Sequence, residues 1–332
     1  MRDRHWKELR FEVKDDFDET SEEFTLEKVF SLNLLNHQEK IMELADNARK
    51  QLKIEVMLKD IRYTWEESPK SNLDIEKQKS KADQEEFFCI RSTDNIMELI
   101  EDHGGKLSTM KSSPYYKEFD TKIDQWEANI AQITETLEVL LAVQSKWKYL
   151  ESIFRGQPDI SKQLPNEDSI FKRNNQIFKS EMERINKEWN CLRALIVKNF
   201  LPLLFDLNRQ FEIIQKNLNQ FLEAKRGQFP RFYFLPNEDL LEIIGQSKDP
   251  KPILQHIGKI FEGIDDLRYS EVGGRNAKNY KIDALISPER EFVEITPILV
   301  EAKVESWLKK LVSEMQDSLR KIFWKIHHEH VT

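Results

Sequence analysis

The stretch SPYYKEFDTKIDQWEANIAQITETLEVLLAVQSKWKYLESIF, Ser113 to Phe154, decides the fold. Phe119, Ile123, Trp126, Ile130, Ile133, Leu137 and Leu140 recur in alternating steps of four and three, which places them in one seam along a helix. Ser113 is the expected N-cap and Pro114 the first helical residue, where a missing N–H costs nothing. At 1.5 Å rise per residue, about 40 residues make a rod of roughly 60 Å, longer than a compact domain is wide. A helix of that length reads as the spine of an elongated bundle.

Outward from this spine the helical pattern continues. Asn36 to Thr64 offers Ile41, Leu44, Ala48 and Leu52 on one face, and Glu167 to Glu188 offers Ile170, Ile177, Met182 and Ile185. Trp189 to Arg226 is strongly apolar, but Pro202 removes a backbone donor and is read as the junction of two helices. Further helices are expected over Asn237 to Gln246, Pro250 to Ile264, and Glu301 to about His328, the last with Val304, Trp307, Leu308, Leu311, Met315, Leu319 and Ile322 in phase. Alternation in Tyr280, Ile282, Ala284 and Ile286, a turn over Ser287 to Arg290, and Phe292, Val293 and Ile295 predict a β-hairpin at about 279–296. A weaker hairpin pairs Leu73 to Glu76 with Phe87 to Ile90 across a polar loop, Lys77 to Glu86. The fold class is therefore mainly all-α, an elongated stack of helical bundles with one or two small β-hairpins. Three segments are expected: 1–112 with N-terminal helices and the weaker hairpin, 113–226 with the long-helix bundle, and 227–332 with the stronger hairpin and final helix.

Composition narrows the partners. A net charge of -8 lacks the basic footprint that holds a phosphate backbone, so nucleic acid is not expected. Met1 to Leu9 is charged without an apolar core, and no run approaches the roughly 18 apolar residues that span a bilayer. Cys89 and Cys191, in apolar surroundings, read as buried free thiols of a reducing compartment.

Motifs for chemistry are incomplete. His103-Gly104-Gly105-Lys106-Leu107-Ser108 has Ile100 where a phosphate loop needs Gly and Leu107 where it needs Ser or Thr, so Gly104 is read as a helix C-cap. His327, His328 and His330 sit together near the end of the sequence without a second shell to fix ligand geometry, so no metal is expected. Arg226-Gly227-Gln228-Phe229 with Phe232 and Tyr233 has the aromatic spacing of an RNA-recognition strand but no second aromatic strand, and reads as core. The charge runs Asp15 to Glu23 and Glu181 to Glu188 read as solvated faces or loops. No nucleophile sits on a strand-turn-helix elbow, and an enzymatic site would need clustered titratable groups that the sequence does not show.

Several segments, taken in order, resemble the linker region of dynein heavy chains. They are Arg4-His5-Trp6-Lys7, Met110 to Lys117, Trp147 to Phe154, Phe229-Pro230-Arg231-Phe232-Tyr233-Phe234-Leu235 followed by Asp239 to Gly245, and Val304 to Leu308 with Met315. The resemblance covers nearly the whole chain, and the Ser113 to Lys117 and Asp239 to Gly245 blocks look more like cytoplasmic than axonemal heavy chains. One departure is Ser287-Pro288-Glu289-Arg290-Glu291, where the family has Gly at the position of Arg290; Arg disfavours the positive φ that Gly supplies, which puts the turn in question.

The resemblance implies a mechanical lever: an arched stack of helical bundles that bends and straightens across an ATPase ring located downstream in the same heavy chain, driving movement along microtubules. It implies no catalytic residue, metal or cofactor in this segment, with ATP and Mg bound by the downstream modules. Implied partners are that ring, dynein complex subunits, and microtubules only through the full motor, in the cytoplasm and cytoskeleton for intracellular transport or, alternatively, in a cilium or axoneme. The chain as given is expected neither to hydrolyse ATP nor to bind microtubules alone. Charged positions on expected surface turns, Arg231, Glu289, Arg290 and Glu291, are the ring-docking candidates. A lever needs a short segment that absorbs the backbone change, and Gly156 to Pro165 and Pro202 are the candidates. A non-motor helical scaffold of spectrin-like type is the alternative; such rods repeat at a fixed period, which unequal helices and hairpins break.

Overall fold

The computed structural model describes residues 1–80, 84–247, 249–272, 279–301 and 303–331. Among these residues the chain is 70% helical, with two small antiparallel sheets. The helices up to the long spine are α1 (Asp3–Val13), α2 (Leu26–Ser31), α3 (Gln38–Glu66), α4 (Asp94–Lys111) and α5 (Asp120–Phe154), with strands β1 (Asp74–Lys79) and β2 (Glu86–Ser92) between α3 and α4. There follow α6 (Pro158–Gln163), α7 (Pro165–Glu188), α8 (Cys191–Leu195), α9 (Phe200–Gln228), α10 (Asn237–Gly245), α11 (Lys251–Leu254) and α12 (Ile257–Ile260). Strands β3 (Asp266–Val272), β4 (Asn279–Ile286) and β5 (Phe292–Leu299) and helix α13 (Val304–Val331) complete the order. The middle of the expected Lys77 to Glu86 loop, 81–83, lies outside the described residues. No helix among the described residues is long and apolar enough to cross a membrane.

The chain forms two compact units. The first comprises Met1–Lys77, Phe88–Leu140 and Met182–Pro202; the second comprises Gln78–Phe87, Leu141–Glu181 and Leu203–Thr332. Every residue of the seam from Phe119 to Leu140 is buried, as its phase requires. The helix starts later than its sequence signals, however. Ser113 Oγ accepts from Tyr115 N at 3.4 Å within a turn, a 3-10 turn covers Tyr116–Phe119, and α5 begins at Asp120, so Pro114 is a turn residue.

In the first unit α3 buries Leu44, Ile54, Leu58, Ile61 and Trp65. Leu52, expected on that face, is 51% exposed. The expected face drifts because it was phased from the first half of the helix, whereas the residues that pack are fixed by the second. The Trp65 indole N–H donates to His103 Nδ1 at 2.9 Å, and Asn190 Nδ2 donates to Trp65 O and Ser71 Oγ at 2.8 and 2.9 Å. Gly104 and Gly105 are interior to α4 and do not cap it. Burial of Ile96, His103, Leu107 and Met110 carries the helix past them, against a cost of about 1 kcal/mol per glycine. Near the N-terminus Leu9, Phe17, Leu32 and Leu44 make a satellite core closed by Trp6, Val13 and Phe24. Phe17 thus anchors the acidic loop after α1.

In the second unit Trp147 is fully buried, donates from its indole to Asn175 Oδ1 at 2.8 Å, and packs against Phe87 and Phe178 at centroid distances of 4.9 and 4.7 Å. Phe171 and Phe178, with Met182 and Ile185 in the part of α7 that belongs to the first unit, are the buried apolar residues of the helix, while Ile170 is 37% exposed. The two phenylalanines set the face, one position removed from the isoleucines used to phase it. Pro202 does not divide two helices: it lies in the first turn of α9, where no N–H is needed, and the break falls at 196–199 with Asn199 at φ 66°. Likewise 156–165 is not helix-free, because α6 occupies Pro158–Gln163.

Both hairpins form, and the stronger one gains a strand. β3 joins β4 and β5 in a three-stranded antiparallel sheet of order β3-β4-β5. Between the pairs Ile282↔Ile298 and Ala284↔Glu294 β4 advances two residues and β5 four, and Pro297, with no N–H to give the ladder, lies in that bulge. The sheet packs on α13. There Val304, Trp307, Leu308 and Leu311 are buried, but Leu319 and Ile322, expected in the same stripe, are 48% and 42% exposed.

Candidate functional site

Glu289, Arg290 and Glu291 lie together on the β4–β5 turn. Ser287 closes it three ways: its N–H donates to Glu291 O at 3.0 Å, its carbonyl accepts from Arg290 N at 3.0 Å, and its Oγ accepts from Glu291 N at 3.2 Å. Arg290 stands at φ 68°, in the left-handed region. The positive φ that Gly would supply is therefore kept by an arginine, and the turn retains its closed form. This closure overdetermines one residue, which is how a backbone cost of about 1–2 kcal/mol is carried. All three side chains point to solvent, and Arg290 Nη2 makes one loose ion pair, 3.6 Å to Asp265 Oδ2.

Arg231 is held by a different segment. Half-buried, it donates from Nη1 to Ile260 O at 3.0 Å and covers the Phe261 ring at 4.7 Å. It forms part of a knot around Phe229–Leu235. Phe229 meets Phe232 edge-on at 4.9 Å, and both are buried, as are Ile260 and Phe261. Tyr233 and Phe234 point outward, 61% and 70% exposed.

Arg226 ties this knot, and sequence reasoning missed it. Only 9% exposed, it donates from Nη1 to Glu223 Oε1 at 2.8 Å, and from Nη2 to Leu235 O at 3.0 Å and Asn237 Oδ1 at 2.8 Å. One planar fork thereby satisfies a carboxylate, a carbonyl and an amide. Its partners are all local, three to eleven residues away, but Phe232 O, Leu235 O and Asn237 Oδ1 are backbone or amide oxygens that carry no pattern in a sequence. Beside the knot, Gly245 marks a close approach: a Cβ there would lie 2.7 Å from Gln157 Cβ. This ties the last residue of the Asp239–Gly245 block to the segment after α5.

The other positions singled out in the sequence lie apart from this turn and knot. His103 is 2% exposed and held below the usual imidazole range, first by burial and then by the Lys106 charge. Cys89 and Cys191 are buried free thiols, and burial pushes Cys191 up to about 12. His327 and His328 are exposed, the His330 side chain lies outside the described residues, and no metal-holding group of His, Cys, Asp and Glu occurs among those described.

The comparisons agree with one another. The family model "Dynein heavy chain, N-terminal region 2" matches residues 1–326. Dynein axonemal heavy chain 2 of Mus musculus is 41% identical over 321 residues, 96% of this chain and 7% of that protein. The Dynein-1-beta heavy chain of the flagellar inner arm I1 complex of Chlamydomonas reinhardtii is 39% identical over 330 residues, 99% of this chain and 7% of its own. The cytoplasmic dynein heavy chain of Neurospora crassa is more distant, 31% identical over 325 residues, 97% of this chain and 7% of its own. The leaning toward cytoplasmic heavy chains is therefore not supported. The chain spans about 7% of the length of these relatives. With a family model matched over nearly all its length, the chain belongs to the dynein heavy chain family and represents its N-terminal region 2.

Proposed function

We propose that this chain is the mechanical linker of a dynein microtubule motor, a lever that bends and straightens across an ATPase ring formed by later parts of the same heavy chain. The observation that carries this reading is α5, 35 helical residues with an unbroken buried seam, in a chain matched by the dynein family over 1–326. A lever must resist bending, and a helix clamped along its whole apolar face does so. ATP and Mg are bound by the downstream modules, and this segment does no chemistry. The partners are the ring, the other subunits of the dynein complex, and microtubules through the whole motor. The axonemal names of the relatives at 39–41% identity favour a ciliary or flagellar motor over a transport one. Nothing favours a spectrin-like scaffold.

Within this proposal 1–112, 113–226 and 227–332 act as successive mechanical segments, and the turn bearing Glu289, Arg290 and Glu291 docks on the ring, with Arg231 contributing from the Phe229 knot. Bending takes place at a helix break, 155–157 or 196–199, and not within α5. The test is a full-length heavy chain carrying this segment, with one dye on α5 and one on the ring. Energy transfer is expected to switch between two values as nucleotide is cycled. A single unchanging value during continued ATP turnover would rule out the lever.

A further inference from the structure

The first compact unit contains a cleft of about 720 Å³ between the start of α1, the second half of α3 and the start of α5. That volume is in the range of binding sites, roughly 300–1,000 Å³. Its floor is apolar: Leu58, Phe119 and Trp126 are 7%, 5% and 9% exposed. Its walls are basic, although the chain as a whole carries a net charge of -8. Most wall charges are already matched. Arg2 and Lys59 share Glu55, and Arg62 pairs with Glu66 at 2.8 Å.

Two cations are left over. Arg4 donates from Nε to the neutral Gln51 Oε1 at 2.7 Å and lies 5.3 Å from the Phe119 ring centroid, and Lys122 is exposed on the first turn of α5. Neither has a carboxylate partner among the described residues, Asp3 on the rim included. We infer that this cleft binds an acidic peptide segment, its carboxylates on Arg4 and Lys122 and an apolar side chain against Phe119 and Trp126. Charge complementarity selects the acidic residues. The floor selects a peptide over a phosphate chain, since Leu58, Phe119 and Trp126 are apolar and offer a partner to an apolar side chain but none to a run of phosphates. The inference rests on the cleft alone and does not depend on the lever.

The experiment is fluorescence anisotropy of a labelled peptide with two glutamates on either side of a leucine, titrated with the 332-residue chain at low salt. Saturable binding is expected, weakening with added salt because the contacts are exposed charges. Lys122→Glu should weaken it about tenfold, a change of about 1.4 kcal/mol, while Lys309→Glu, the same charge change on exposed α13, should alter it less than twofold. Arg4→Gln should weaken binding as Lys122→Glu does; Lys122 has no partner to lose, so its variant keeps the fold. Absence of binding, equal loss in Lys122→Glu and Lys309→Glu, or equally tight binding of an oligothymidylate of the same charge would overturn the assignment.

Discussion

His103 shows how burial sets the chemistry of a single side chain. Its Nδ1 accepts the Trp65 indole proton, so the ring must be neutral in the folded chain, and its affinity for a proton is held below the ordinary 6.5. The unfolded chain therefore binds more protons than the folded one once pH falls below 6.5, and the linkage relation makes stability fall with it. Near pH 8 His103 contributes almost no slope, and by pH 7 it contributes about a quarter of the full value. Below 6.5, down to the lowered folded value, it contributes a loss of up to about 1.4 kcal/mol per pH unit. Urea midpoints measured from pH 8 to 5 should fall more steeply for the native chain than for His103→Gln, which cannot titrate. Parallel curves would mean that the folded chain takes up the His103 proton as readily as the unfolded chain, so that neither burial nor the Trp65 contact holds the ring neutral. Arg290 is the complementary case, a residue whose backbone and not its side chain is the constraint.

Elements are held by contacts whose legibility varies with their chemistry. Arg226 fixes the Phe229–Leu235 segment to the end of α9 with a guanidinium fork. Lysine keeps the charge but cannot reach three acceptors at fixed angles, so Arg226→Lys should destabilise the chain by about 2–3 kcal/mol, read as a lower urea midpoint at unchanged slope. A loss under about 0.5 kcal/mol would mean that water replaces the fork. The seam of α5 was legible because Phe119 to Leu140 keep one phase through many turns. Faces phased from fewer residues drifted, as at Leu52 and Ile170. β3 was invisible because Leu267 is its one buried residue, which leaves no alternation to read. Gly104 and Pro202 misled for a shared reason: each is a local signal, overridden in one case by packing along α4 and in the other by position in the first turn of α9. Of the docking candidates, the sequence placed the turn and its three charges correctly, while the inward use of Arg231 depends on Ile260 and Phe261, nearly thirty residues along.

At the scale of the whole molecule, the two units are not consecutive in the chain. Each is assembled from three separate segments, and α5, α7 and α9 all contribute residues to both. No single cut separates them. A fragment starting at Leu203 would lack 78–87 and 141–181, including Phe87, Trp147, Phe154, Phe171 and Phe178, half of the buried aromatic side chains described in its unit. Such a fragment should keep helical far-ultraviolet circular dichroism but lose the near-ultraviolet signal of packed aromatics. A native-like near-ultraviolet spectrum would show that 203–332 folds by itself. The two cysteines, finally, have a practical consequence at this scale. With Cys89 and Cys191 both fully buried, and the Cys191 thiol pushed up to about 12, neither offers a thiolate to maleimides at neutral pH. A cysteine introduced on an exposed face of α5 would then be the site that labels, so a dye can be attached for single-molecule work with the natural thiols left in place.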